Sequence, residues 1–526
     1  MAEVVSSAVP VNGSGAASDS PTEVYAVFGA EPEVLAYAMA KYSRSALSMK
    51  ESLKEISQQK AEKFLNTFYF QYGHRSIADL AHIALAIEKL SILAAIVVAD
   101  EQRWDGQERS TRYQDFRKSG YYTPDFGSDE PARDLYFRTI RNLFSTYESV
   151  SETTFQYLVE ITPKPAEMKQ DAYERTLRAR AFDISRYLLP LATNTSLGEI
   201  VNARTLENQV SHLLSHTHAE VRRLGELLKR AALSAAYNVN HESARKLVED
   251  IRAVSPELGA RAEAELLKEV RVASTLVKYA DPNAYEIETR RELGQMASEL
   301  MGGASPDAAP SVDLLDDEPV EIELATTLLY EHCGYPYRQM RRSVESVSEI
   351  RRREFIDAGL RHRGRHDEAL RAFRAGQQFR FDILMDIGGF RDMHRHRRCI
   401  QIEQQFTIQH GYDVPAELQP AGALDSYTQA MDQATQAVRK LAASSTAEAA
   451  ENSQYLIPLG FRKRTLFKMD FAEAVYISEL RTGPAGHFSY RNVAYAMFEE
   501  VKKKYPALAQ YFRVHDVHEP VDLLKR

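Results

Sequence analysis

The residues best suited to chemistry crowd into one stretch, Arg391-Asp392-Met393-His394-Arg395-His396-Arg397-Arg398. On a helix, Arg391, His394, Arg395 and Arg398 fall at i, i+3, i+4 and i+7 and share one face. Cations set side by side repel one another unless an anion lies among them. Guanidinium forks match phosphate and carboxylate geometry and do not deprotonate. A solvated basic face is the simpler alternative. The cluster, however, continues an apolar run that begins at Phe379 and contains Gly388-Gly389. Close packing of that kind favours a site for phosphorylated ligands at the buried end of a helix.

Three further groups of residues carry potential chemistry. Glu108, Ser110 and Arg112 alternate along one side of an extended segment that ends in Tyr113, an arrangement suited to a phosphate and a sugar or base edge. Asn202-Ala203-Arg204 opens a helix on which Arg204, Asn208 and His212 share a face. Gly73-His74-Arg75-Ser76 precedes an apolar run, where Ser76 can cap a helix and free N–H groups favour an anion. His212, His216 and His218 lie close in sequence, but no carboxylate or cysteine completes a ligand set, so no metal is expected.

The elements that position these groups read as mostly helical. One long, buried helix is expected from Gly73 to Asp100, with others over 132–160, 170–187, from Asn202 onward, 224–300 and 338–353. The 526 residues are enough for two domains with their own cores. Residues 1–22 read as a disordered tail, 23–300 as a first domain with a helical extension, 301–318 as a Gly-, Pro- and Asp-rich linker, and 319–526 as a second domain. A formal net charge of -8 argues against a nucleic-acid coat, so the basic cluster is local. Two cysteines, Cys333 and Cys399, exclude a disulfide framework and fit a reducing cytoplasm. No apolar run is long enough to span a membrane, and the N-terminus lacks the pattern of a signal peptide.

The two halves repeat each other. Ser185-Arg186-Tyr187-Leu188-Leu189-Pro190-Leu191 returns as Ser453-Gln454-Tyr455-Leu456-Ile457-Pro458-Leu459, and Gly120-Tyr121 returns as Gly411-Tyr412. Both copies run on to a His-x-x-x-Arg ending, His218 with Arg222 and His487 with Arg491. The copies differ in a complementary way. The second carries Arg395-His396-Arg397 where the first has Asp100-Glu101-Gln102. The first carries Ser110, Arg112 and Tyr113 where the second has Gln405, Thr407 and Ile408. A composite site between the halves is the natural expectation, with Asn202 and Arg204 of one half and Arg395, His396, Arg397 and Arg481 of the other serving one ligand.

These motifs resemble the flavin-dependent thymidylate synthases of the ThyX type. That family's pattern runs Arg-His-Arg, seven residues, then Ser, within a wider Asn-Glu-x-Ser-x-Arg-Tyr. An upstream Gly-His-x-Ser segment is matched by Gly73, His74 and Ser76, and a downstream Asn-Ala-Arg helix by residues 202–204. The resemblance implies an α/β (α+β) fold of two tandem domains, each with long helices on a mixed sheet, related by a pseudo-two-fold axis. It implies reductive methylation of dUMP to dTMP, with FAD as cofactor and methylenetetrahydrofolate and NADPH as co-substrates. Cofactor contacts would come from His74, Ser76, Asn202, Arg204, Asn208, Arg395, His396 and Arg397. Substrate contacts would come from Glu108, Ser110, Arg112 and Tyr113, and catalytic roles from Arg395, Arg397 and Arg481. A homodimer would stand for the family's tetramer. Methylation of another uracil nucleotide, or ligand binding without catalysis, are the alternatives.

Overall fold

The computed structural model describes residues 29–40, 53, 75–364, 367, 369–443 and 447–525. His74 and the side chain of Ser76 lie outside the described residues, as do the N-terminal tail and most of the segment before Arg75.

After a short helix over Pro32–Ala40 and a 3-10 turn over Arg75–Leu80, the first half continues with strand β1 (His82–Ser91) and helix α1 (Ile92–Ala99). The single long helix expected here is therefore a strand followed by a helix. His82 to Ser91 puts Ile83, Ile87 and Leu90 into the core, and the chain slips register between Glu88 and Leu90 at Lys89, whose φ is 61°. Ser91 then starts the helix, its Oγ accepting from Ala94 N–H at 3.0 Å. Strand β2 (Trp104–Glu108) follows, then the long helices α2 (Glu130–Ile161) and α3 (Gln170–Ser185), strand β3 (Asn194–Asn202), and helices α4 (Ala203–Leu214) and α5 (Ala219–Leu233). A helical extension ends in α6 (Ala284–Met301).

The second half repeats this order. After β4 (Val312–Leu314) and helices over Val320–Tyr330, Tyr337–Ser346 and Glu349–Arg361, which have no counterpart in that order, it runs through β5 (Phe379–Asp386), α7 (Ile387–Met393), β6 (Ile400–Glu403), α8 (Leu424–Ala442), β7 (Arg462–Met469), α9 (Phe471–Thr482) and α10 (Phe488–Lys504). The apolar run from Phe379 is thus a strand, buried on both faces, and only its end turns into a helix. The sheet orders are β1-β3-β2 and β4-β5-β7-β6, with antiparallel pairing throughout both. This corrects the expected mixed sheet. In each half the two strands joined by a short helix run the same way, and the later strand slots between them, so no parallel pair forms.

The stretch 301–318 ends as structure: Val312 and Leu314 pair with Ile383 and Phe381 at the sheet edge. Helix α6 shares an apolar core with the second half, where Leu293, Ala297 and Met301 meet Leu328, Leu329 and Phe355. The two halves join through the repeated heptapeptide itself. Leu191 N–H donates to Ile457 O and Leu459 N–H to Leu189 O, both at 2.9 Å. Ala192 N–H donates to Tyr455 O at 2.9 Å and Gly460 N–H to Tyr187 O at 3.0 Å. Each bond has its twin 268 residues along, which is the pattern of a pseudo-two-fold axis through Pro190 and Pro458. The main core, with Tyr187, Leu189, Tyr455 and Leu459 fully buried, runs continuously across that axis.

Candidate functional site

Helix α7 brings the arginine cluster to the junction of the halves. Asp386 caps it, accepting from Gly389 N–H at 2.6 Å. A Cβ on Gly389 would lie 2.8 Å from Ser489 Oγ, so glycine permits α10 to pack this close. The helix ends at Met393, and Arg395 to Arg398 occupy the turn before β6. The shared helical face expected for Arg391, His394, Arg395 and Arg398 is therefore not formed. Gln401 of β6 folds back and donates from Nε2 to the carbonyls of His396 at 3.2 Å and His394 at 3.4 Å, which stabilises the turn instead of another helical one.

This turn meets β2 of the first half. Arg391 pairs with Glu108 and comes to 3.5 Å of Thr111 Oγ1. Arg395 Nη2 donates to Gln107 Oε1 at 3.0 Å, and the Arg397 guanidinium lies 4.3 Å above the Trp104 ring. These side chains fill most of the space they enclose, leaving about 20 Å³ lined by Trp104, Gly106, Glu108, Arg391, Arg395 and Arg397. Arg395 is exposed and Arg397 half-buried, with its Nε lacking a partner among the described residues.

Behind the turn, Arg481 of α9 donates from Nε to His396 Nε2 at 2.7 Å, and His396 Nδ1 faces Glu473 at 3.4 Å. Burial holds the His396 imidazole below its usual pKa, so Nε2 is the acceptor and Nδ1 carries the proton toward Glu473. His396 is 5% exposed. It positions Arg481 and the turn and leaves solvent-side contacts to its arginine neighbours.

The Ser-x-Arg-Tyr segment is placed less openly than its pattern implies. Arg112 is buried and donates to both carboxylate oxygens of Asp183, at 2.8 and 3.3 Å. It also donates to Tyr490 Oη at 2.8 Å and Ala485 O at 3.1 Å, both in the second half. Ser110 Oγ accepts from Arg112 N–H at 3.2 Å, while Tyr113 is exposed. Arg186, which sequence reasoning left as a motif residue, lies beneath this segment. It is 2% exposed, its Nη1 is 3.5 Å from Thr111 Oγ1 and from Asp392, and its Nε and Nη2 have no partner among the described residues. The available signal was its replacement by Gln454 in the otherwise matched heptapeptide.

Asn202, Arg204 and Asn208 do not join this set within one chain. Asn202 caps α4, accepting from Thr205 N–H at 2.8 Å, and Arg204 pairs with Asp79 at 3.3 Å. Arg204 and Asn208 line a separate cleft of about 1340 Å³ at the pseudo-equivalent position, with Asp100, Glu101 and Gln102 where the first site has Arg395, His396 and Arg397. Between the two sites, ligand-type atoms of Asp100, His394 and Glu403 lie within 4.8 Å of one another. Arg371 at 2.5 Å from Asp100 and Lys463 at 2.9 Å from Glu403 already balance those carboxylates. Both thiols are pushed up to about 12 by burial, so neither is an activated nucleophile. Among the described residues, no helix is long and apolar enough to cross a membrane.

The profile of the Thy1 family, described as thymidylate synthase complementing protein, matches residues 26–236 and again 312–507. The chain belongs to this family, in a tandem form that carries the domain twice. UPF0159 proteins of Chlamydia pneumoniae and Chlamydia muridarum are 29% and 28% identical over 94% and 93% of this chain and 91% of their own lengths. A flavin-dependent thymidylate synthase of Clostridium tetani is 26% identical over 34% of this chain and 69% of its own length. The solved ThyX of Helicobacter pylori, complexed with FAD and dUMP, aligns at 16% identity over 38% of this chain and 89% of its own, with a TM-score of 0.26.

Proposed function

We propose that the protein is a flavin-dependent thymidylate synthase with one composite site per chain, at the meeting of α7 and its following turn with β2 and residues 109–113. The observation that carries this reading is the contact across the halves: Arg391 on Glu108 and Arg395 on Gln107 unite the Arg-His-Arg segment of one copy with the Glu-x-Ser-x-Arg-Tyr segment of the other. The substrate is dUMP. Its phosphate is assigned to the neighbourhood of Thr111, where the guanidinium groups of Arg186 and Arg391 converge and Arg186 keeps two buried N–H groups without protein partners among the described residues. Arg112 shapes this pocket through Asp183 and Tyr490. Arg395 and Arg397 suit a pyrophosphate, the group FAD would present, since both are accessible forks with donors to spare. FAD, recharged by NADPH, supplies the reducing equivalent for moving the one-carbon unit of methylenetetrahydrofolate. No enzyme thiol is required, which agrees with the raised pKa of both cysteine thiols.

Expression in a thymidine-requiring strain tests the reading: growth without thymidine, abolished by Arg186→Ala or by Arg395→Ala with Arg397→Ala, is expected. Purified protein that takes up no flavin, as judged by visible absorption, would overturn it.

A further inference from the structure

The pseudo-two-fold axis gives the composite site a twin, and the twin has become a different kind of site. One of its walls is formed by residues 279–286 and Arg290. These lie between the two stretches that match the family, 26–236 and 312–507. The cleft is therefore a feature of the tandem chain rather than of the single family domain. Its charge is reversed. The small cavity at the first site is lined by three arginines and one carboxylate, whereas nine carboxylates and six cations line the twin.

Five of the six cations of the twin are already engaged. Arg204 pairs with Asp79 and Arg371 with Asp100, while Lys463 pairs with Glu403. Arg290 donates to Ser215 O at 2.9 Å and Arg374 donates to Gln102. The sixth, Arg103, is exposed to solvent. Carboxylates remain. Among the described residues, Glu101 accepts only from the backbone N–H groups of Gln102 and Arg103, and Glu331, exposed on the cleft, has no ion pair. Two buried amide oxygens are also open. Gln404 and Gln209 are 2% and 3% exposed, and both line the cleft. Their Nε2 groups donate to Tyr335 O at 3.0 Å and to Glu199 at 3.2 Å, which fixes each amide with its Oε1 unpartnered among the described residues. His216 and His332 are kept neutral by burial and add no positive charge. Carboxylates and spare acceptors together call for a ligand rich in N–H donors.

We propose that this second cleft binds a small organic cation of the amine or guanidine class, and that it does not bind a phosphorylated nucleotide. Binding is independent of the flavin reading of the first site, because the two sites share neither their cations nor their acids.

Calorimetric titration of the full chain with agmatine and spermidine, and separately with pyrophosphate, tests this. At least one of the two amines should bind saturably. Glu101→Gln with Glu331→Gln should weaken it by about a hundredfold, roughly tenfold for each charge-assisted hydrogen bond removed. Arg395→Ala with Arg397→Ala should leave amine binding unchanged, which separates failure here from failure of the flavin site. Should the glutamine variant melt early without ligand, salt provides the second measurement on the unaltered chain: raising it from low to high concentration must weaken amine binding. Absence of saturable amine binding overturns the proposal. So does amine binding insensitive to both substitution and salt, or pyrophosphate binding that survives Arg395→Ala with Arg397→Ala.

Discussion

Replacing Asp183 with Asn would separate two roles for Arg112, substrate grip and structural anchor. The Arg112–Asp183 pair is bidentate, at 2.8 and 3.3 Å, with side chains 8% and 5% exposed. Asn keeps the volume and removes the charge, leaving a buried guanidinium without its counter-ion beside Tyr490 Oη and Ala485 O. Breaking a buried pair from one side costs about 3–5 kcal/mol, whereas an exposed pair is worth about 0–1 kcal/mol. The larger figure is expected here. Trp104 is the sole tryptophan and sits at the composite site beneath Arg397, so its emission during urea unfolding reports both stability and the site. The double variant with Arg112→Leu should be destabilised by less than the sum of the single changes, because each leaves the other's charge stranded. A loss below about 1 kcal/mol, together with a large loss of dUMP affinity, would show that Arg112 is held loosely and spends its charge on the substrate.

Arg395→Ala with Arg397→Ala should abolish flavin retention by removing interactions worth roughly 1.5–3 kcal/mol each; unchanged visible absorption after gel filtration would refute this. Burial raises the Glu199 carboxyl from 4.5 to about 7, so the folded state holds a proton that the unfolded chain gives up. Stability from this group should fall between pH 4.5 and 7 and level off above, by about 3 kcal/mol in all. Glu199→Gln should flatten that part of the urea-midpoint profile, and a variant that tracks the parent through this range would disprove it. Gly389→Ala should cost about 1–3 kcal/mol by overpacking against Ser489 and Asp386, measurable as a lower melting midpoint. Cys399 should react with a thiol reagent only on unfolding; its fast labelling in the native protein would contradict its burial.

The duplication was legible because spacing survives even where chemistry diverges: residues 185–191 and 453–459 keep their apolar and proline positions, since those positions face each other across the axis. Helices α2 and α3 and the helix start at Asn202 were legible from their apolar period and polar boundaries. The region 82–99 was not. No Gly or Pro divides strand from helix there, and Ser91 alone marks the change. The cross-half pairing of Arg391 with Glu108 was anticipated in kind, as a composite site, but not in its members. Arg204 lines the twin cleft instead, and Asn202 caps the helix that carries it. Arg186 was hidden inside a motif read for its repetition rather than its charge.

The heptapeptide pairing also sets a timetable for the chain as it is made. Its four hydrogen bonds join partners separated by roughly 270 residues along the sequence, so Tyr187 to Ala192 emerge long before anything exists to cover them. At about 5–20 residues per second, this strip of unpaired backbone and apolar surface waits on the order of ten to fifty seconds on the ribosome. During that interval it presents the same edge that a second nascent chain would offer, and the two edges are self-complementary by the pseudo-symmetry. Swapped dimers, in which the first half of one chain takes the second half of another, are therefore the characteristic misassembly of this protein, and crowded polysomes are the place where they would arise.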